Sequence, residues 1–142
     1  MKAAESRYSG CLYFASNALA RKMERLAIKA WEPVGLPPSH AYLLLYVIDN
    51  PGTQPSVITE QLMLAPSTIT RLMDRLEKEK LIIRQTEGKM IHAYPTAKAK
   101  GLVPKMESCI KSFHMSYAQE LGHEPSMELV KNIVSVHDRL NE

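Results

Sequence analysis

Between Pro66 and Lys78, apolar side chains recur at Ile69, Leu72, Met73 and Leu76, the i, i+3, i+4, i+7 spacing of one helical face. Ser67, Arg71, Asp74 and Lys78 fall on the opposite side, flanked by Thr70 and Arg75. Pro66 suits the first helical position, where its missing N–H is no loss. The stretch is therefore expected to be a short helix that seats one stripe on a core and turns hydroxyls and guanidinium groups outward. Such a face is either simply solvated or built to reach phosphates and base edges.

The neighbouring sequence narrows that choice. Pro55 opens another short helix through Leu62, and Met63-Leu64-Ala65 joins the two, which is the helix-turn-helix pattern. Ala65 is a weak N-cap for the second helix. After Leu81 the period changes from helical to alternating. Ile82–Thr86 and Met90–Tyr94 are β-prone runs separated by Glu87-Gly88-Lys89, which predicts a hairpin with a three-residue tip. A hairpin in that place is a wing, and Lys89 at its tip can reach a minor groove or a phosphate.

The flanks read as helices. Tyr8–Ala30 has an apolar stripe at steps of three and four, closed by Pro33 and Gly35. Ser39 is a candidate cap for a helix from His40 to Asp49 that is apolar nearly all round and ends at Asn50-Pro51-Gly52. Thr96 caps a helix expected to run to about Leu121, with a bend near Pro104. Gly122–Pro125 form a break, and Ser126 caps a last helix bearing Leu129, Ile133, Val136 and Leu140. These terminal seams exceed what one compact core can cover, so they are expected to pack on a second copy of the chain.

The sequence has 142 residues and a formal net charge of +3. Residues 66–100 hold eight Lys/Arg against four acids, residues 1–65 six against five, and residues 101–142 four against six. The positive excess sits around the helix-turn-helix, the footprint of a polyanionic partner. Cys11 and Cys109 stand far apart and the five histidines are scattered, so neither a metal site nor a disulfide framework is expected. The chain carries no Ser/His/Asp set, no glycine-rich phosphate loop and no suggestive carboxylate pair, and no enzyme activity or cofactor is expected. No apolar run reaches the roughly 18 residues of a bilayer span, and the N-terminus lacks an apolar signal core; a cytoplasmic location is expected.

The ordered set Gly35-Leu36, Leu62-x-Leu64-Ala65-Pro66-Ser67-Thr68-Ile69-Thr70-Arg71-Leu72-Met73-Asp74-Arg75-Leu76-Glu77, Leu81-Ile82-x-Arg84 and Tyr94-Pro95-Thr96-Ala97-Lys98-Ala99-Lys100-Gly101 resembles the multiple-antibiotic-resistance repressor (MarR) family. The resemblance covers essentially the whole chain. It implies a single mainly-α domain with a small β-hairpin wing. Residues 39–96 would form the winged helix-turn-helix, and 1–34 with 97–142 the dimerisation helices. It also implies a homodimeric transcriptional regulator of pseudo-palindromic double-stranded operators, most simply a repressor. Ser67, Thr68, Thr70 and Arg71 would meet the major groove and Arg75 a phosphate, with Arg84 and Lys89 completing the DNA-facing set. The family's wing is usually longer and holds an Asp-x-Arg element; here Glu87-Gly88-Lys89 stands in its place.

Many family members are released from DNA by a small phenolic or lipophilic effector bound where the dimer helices meet the winged portion. Tyr13, Trp31, His40 and Tyr42 are the residues that could line such a pocket, or else they are core and interface aromatics. One branch of the family senses hydroperoxides through a cysteine early in the first helix. Cys11 lies near that place, but alignment on Gly35-Leu36 puts Tyr13 at the thiol position and Pro38 and Ala41 where its tyrosine partners would be. Cys11 is therefore expected to be buried and inert, with redox sensing as an alternative. A winged helix that serves only as a protein-interaction module is the other alternative.

Overall fold

The computed structural model describes residues 1–141. Among these residues the order is α1 (Leu12–Trp31), α2 (Pro38–Asp49), α3 (Pro55–Leu62), α4 (Pro66–Lys78), β1 (Ile82–Glu87), β2 (Met90–Pro95), α5 (Ala97–Gly101), α6 (Val103–Leu121) and α7 (His123–Arg139). The fold is mainly helical with one antiparallel hairpin, as the periodicities predict.

α1 begins four residues later than its apolar stripe suggests. Ala3–Glu5 forms one 3-10 turn instead, closed by the Lys2 N–H donating to the Glu5 carboxylate at 2.8 Å. Ser9 and Gly10 are poor helix formers, and Tyr8 folds back so that its ring stands 6.2 Å from that of Phe14. α2 begins at Pro38, whose missing N–H is harmless there, so Ser39 lies inside the helix and is not its cap. Ala41, Leu43, Leu44 and Val47 of α2 are buried, while Tyr42 is partly exposed. With Trp31, Ile58, Ile69, Met73, Leu76, Leu81, Ile82, Ala93, Met106 and Cys109 they form one continuous core beneath the helix-turn-helix.

The hairpin pairs Ile82 with Pro95 through to Glu87 with Met90. Its tip is therefore two residues, Gly88-Lys89, and not three. Gly88 has φ +63, which suits the first position of a tight hairpin turn that L side chains disfavour. The turn after α2 adds a third, one-residue rung: the Ala93 N–H donates to the Thr53 carbonyl and the Gly52 N–H to the Ala93 carbonyl, both at 2.8 Å. This rung ties the wing to the core.

The helix expected from Thr96 to Leu121 is broken at Leu102. Pro104 has no N–H to give the carbonyl four residues back, and its ring crowds that carbonyl, so the chain restarts as α6 with Pro104 in the first turn. α7 starts directly after Gly122, earlier than expected. Ser126 is thus not its cap but a buried residue in its first turns, with its hydroxyl donating to the Gly122 carbonyl at 2.6 Å. Leu129, Val130, Ile133, Val134 and Val136 of α7 and Leu140 just beyond it are all exposed, as are Leu12, Tyr13 and Leu19 of α1. An apolar cleft of about 220 Å³ runs between Leu19 and Met23 of α1, Phe113, Tyr117 and Leu121 of α6, and Leu129 and Ile133 of α7.

Thr96 does cap α5. Its hydroxyl oxygen accepts from the Ala99 N–H at 3.2 Å while donating to the Lys80 carbonyl at 2.7 Å. One side chain thus joins the exit of α4 to the start of α5. Thr96→Ala removes both bonds and is expected to cost about 1–2 kcal/mol, visible as a lowered thermal midpoint, with Thr96→Ser retaining most of the stability.

Candidate nucleic-acid interface

α4 presents its outer face because its inner one is fixed. Ile69, Leu72, Met73 and Leu76 are buried, and Ser67, Thr70, Arg71, Asp74, Arg75 and Lys78 are exposed. Thr68 is half-buried. Ahead of α4, the chain turns at Met63, which ends α3 in the left-handed region (φ +54) and leaves its own side chain largely exposed. No side chain caps α4; the weak cap Ala65 leaves the first N–H groups of the helix for solvent or a bound acceptor.

The polar groups of this face differ in how far they are committed. The Thr70 hydroxyl donates to the Pro66 carbonyl at 3.1 Å. Arg75 pairs with Glu79 one turn on, at 3.2 Å, in a partly exposed ion pair of little energetic weight. Arg71 has only a long 3.5 Å contact with the Thr68 hydroxyl. Among the described residues no ion pair holds it, so its guanidinium fork is available. Lys89 at the wing tip is exposed as well.

Arg84, also expected among the DNA-facing residues, is different in that its guanidinium is paired within the chain. From β1 its Nη2 donates to Asp74 Oδ1 at 2.7 Å and Glu77 Oε1 at 3.1 Å, while its Nε and backbone N–H both donate to Glu77 Oε2. The wing strand is thereby fastened to the back half of α4. Glu77, which reads from sequence as a solvated helix end, is one jaw of this clamp. Lys98 adds to it from α5, its Nζ donating to the Glu79 carbonyl at 2.9 Å where α4 ends. Neither role was visible in sequence: Arg84 meets Asp74 and Glu77 only once β1 folds back along α4, and Lys98 reaches Glu79 only after the hairpin has returned the chain.

The four residues considered for an effector pocket do not come together in one chain. Tyr13 is exposed near the start of α1 and Trp31 is buried at its end, some 18 residues or roughly 27 Å along the helix. Trp31 instead meets Tyr42 edge-on, with ring centroids 5.7 Å apart. Burial raises the Tyr42 hydroxyl above its ordinary pKa. His40 lies on the other side of α2 toward α4; burial, reinforced by Arg75, pushes its pKa down. The Trp31 indole N–H and His40 Nδ1 are both buried without a hydrogen-bond partner. Cys11, expected to be buried, is exposed at the N-cap of α1; the buried thiol is Cys109, whose pKa burial raises. Among the described residues no helix is long and apolar enough to cross a membrane.

A helix seated by an apolar stripe after a left-handed turn, and clamped to a charged hairpin, defines a winged helix-turn-helix protein. Residues 34–89, which run from the end of α1 through α4 and β1 to the hairpin tip, match the sequence model of the MarR family. No curated protein matches the chain in sequence. Among solved structures it is similar to CouR from Rhodococcus jostii RHA1 bound to p-coumaroyl-CoA, at 17% identity over 97% of this chain and 99% of that one, with a TM-score of 0.78. It is also similar to the repressor CouR bound to a 23-mer DNA duplex (19% identity, 98% and 99% covered, TM-score 0.80). A MepR–DNA complex from S. aureus shares 18% identity, with 91% and 98% covered and a TM-score of 0.78. At such identities the likeness is one of fold, and it extends to the terminal helices that lie outside the family match.

The clamp has a pH signature. Arg84 holds the Glu77 carboxyl below its ordinary value of 4.5. A depressed carboxyl stabilises the fold above its unfolded pKa and loses that contribution as pH falls through the folded one. Acid denaturation of the wild type should therefore steepen below about pH 4.5, and Arg84→Ala should flatten it. Because both carboxylates are well exposed, the cost of Arg84→Ala near neutrality is expected to be on the order of 1 kcal/mol, measured by denaturant titration.

Proposed function

We propose that this protein is a dimeric, sequence-specific DNA-binding transcriptional regulator, most simply a repressor that blocks promoter access. The observation that carries the reading is the outer face of α4, where Ser67, Thr70 and Arg71 stand exposed on a rigid apolar base and Arg71 is uncommitted. Ser67, Thr68, Thr70 and Arg71 then read base edges in the major groove, Arg75 contacts a phosphate, and Lys89 reaches the backbone or minor groove from the wing. The solved relatives on DNA duplexes support the same placement of fold on nucleic acid.

A dimer follows from the apolar surface that α7 and the start of α1 leave uncovered. It would set two copies of α4 about one helical turn of DNA apart and so match a pseudo-palindromic operator. Release by a small lipophilic or phenolic effector is the corresponding signal. It is supported by the p-coumaroyl-CoA complex of a protein with this fold and by the buried Trp31 N–H, which has no hydrogen-bond partner at the end of α1.

Duplexes selected from a random pool supply the operator for the decisive comparison. Arg71→Ala should weaken operator binding by about 1–3 kcal/mol and relax its specificity, whereas Lys89→Ala should weaken all sequences alike and reduce the salt slope by about 1. Equal affinity for operator and random duplex, unchanged by Arg71→Ala, would sink the reading in favour of a protein-interaction module.

The dimer has its own test. Ile133→Asp places a charge on the exposed apolar face of α7 and should give a folded monomer by sedimentation, with operator affinity lost together with the dimer.

A further inference from the structure

We propose that His92 is a positioning residue for the wing, and that a second proton on its ring engages Glu87 and strengthens the wing's hold on DNA as pH falls. The hold on DNA rests on the DNA-binding reading; the placement of the wing does not. His92 Nδ1 lies 2.9 Å from the Gly52 carbonyl, in the turn after α2. A carbonyl oxygen can only accept, so Nδ1 carries the proton. A neutral imidazole has one N–H, which leaves Nε2 with its lone pair. That lone pair stands 3.8 Å from Glu87 Oε2. Two acceptors thus face each other, and nothing joins them until the ring takes a second proton and Nε2 becomes a donor.

The hairpin register produces this arrangement. His92 pairs with Gln85, and Glu87 lies two residues further along the same strand, so the two side chains are diagonal neighbours on one face. Tyr94 shares that face and lies over Gly52, its hydroxyl oxygen 3.4 Å from where a Cβ on Gly52 would stand. The Gly52 N–H donates to the Ala93 carbonyl, so backbone and imidazole together tie strand to turn. The His92 side chain is only 21% exposed, against 67% for Glu87. The ring is held, and the carboxylate is the partner with room to close the gap.

β2 packs against α2, α3 and β1. Of their ionisable groups, α2 carries His40, Tyr42, Tyr46 and Asp49, α3 carries Glu60, and the hairpin carries Arg84, Glu87, Lys89 and Tyr94. Among the described residues only Glu87 pairs with His92; Arg84 projects from the other face of the hairpin to Asp74 and Glu77. The turn at 50–53 holds no ionisable side chain. Glu87 and Lys89 flank Gly88, so their charges cancel at the tip while His92 is neutral. A protonated His92 offsets Glu87 and leaves Lys89 unopposed, which amounts to one more positive charge beside the phosphates. So exposed a pair is worth little in stability, and the effect is a modest tuning of affinity.

The ring is read first, without DNA. Long-range proton–nitrogen correlation spectra of the full-length protein near about pH 8 should show His92 as the Nδ1–H tautomer, with the signal assigned by its loss in His92→Gln. Selected operator duplexes are then titrated at about pH 8 and about pH 5.5 at fixed ionic strength, the range over which histidine ordinarily changes charge. Wild-type affinity should rise about three- to tenfold toward acid. His92→Gln, whose amide can still donate to the Gly52 carbonyl, should lose most of that rise. His92→Ala, which lacks the donor, should in addition bind more weakly at both pH values. Glu87→Gln should bind more tightly than the wild type near pH 8 and respond little to acid, whereas His137→Gln, an exposed imidazole on α7, should respond as the wild type does. An Nε2–H tautomer, a flat wild-type profile, or an acid rise that survives His92→Gln would overturn the proposal. Failure to bind any duplex at either pH would sink the DNA-binding reading and the acid effect with it, and the tautomer, read without DNA, tells that failure from one of the wing latch.

Discussion

The packing of Ile69, Leu72, Met73 and Leu76 against α2 and α3 decides everything that α4 can offer to a partner. A helix is free to rotate about its own axis unless one stripe is anchored. Burying four large side chains, each worth about 1.5–3 kcal/mol relative to exposure, removes that freedom. With the rotation fixed, Ser67, Thr70 and Arg71 face outward as a set and hold their mutual spacing. The same core contains Ile82 and Ala93 of the hairpin and Trp31 at the end of α1. The wing and the long N-terminal helix are thus referred to one packed centre.

Electrostatics then refine what hydrophobic packing has set. Arg84 fastens the hairpin to Asp74 and Glu77, the side of α4 away from its free N-terminal end. This arrangement separates two jobs that formal charge alone does not distinguish. Of the bases between residues 66 and 100, Arg84 neutralises two carboxylates, Arg75 is paired with Glu79, and Lys98 caps the end of α4. Arg71, Lys78, Lys80, Lys89 and Lys100 are left exposed, with no ion pair among the described residues. The net +4 of the segment therefore includes three bases that the fold has already committed to partners within the chain.

How much of this was legible in the sequence follows from the range of the interactions concerned. α3 and α4 begin and end where their prolines and apolar spacing put them, because those signals act within one or two turns. Thr96 was readable as a cap for the same reason. The breaks were harder. Pro104 was expected to bend one long helix and instead divides α5 from α6. Gly122 alone suffices to turn the chain into α7, so Ser126 falls inside a helix rather than at its cap. The clamp was illegible in the linear chain, since Arg84 meets Asp74 and Glu77 only once β1 folds back along α4. The aromatic set Tyr13, Trp31, His40 and Tyr42 is spread within one chain for a related reason: these residues lie at opposite ends of α1 and on different faces of α2.

The terminal helices pose the converse problem, a strong sequence signal with no intramolecular counterpart. Leu129, Ile133 and Val136 keep a heptad-like order along α7, with Leu140 just beyond its end, yet all remain exposed in a single chain. An apolar stripe this long is unstable against water unless something covers it. The cleft it borders on α1 and α6 is apolar too, which favours a surface of the same character over a charged partner. On the proposed dimeric reading, a second copy would meet that requirement by symmetry: each α7 would cover what the other exposes, and the same contact would hold the two α4 helices at a fixed separation. Dimer formation and DNA spacing would then be one constraint, and a change in how α7 or α1 leaves the core would alter the spacing without touching α4.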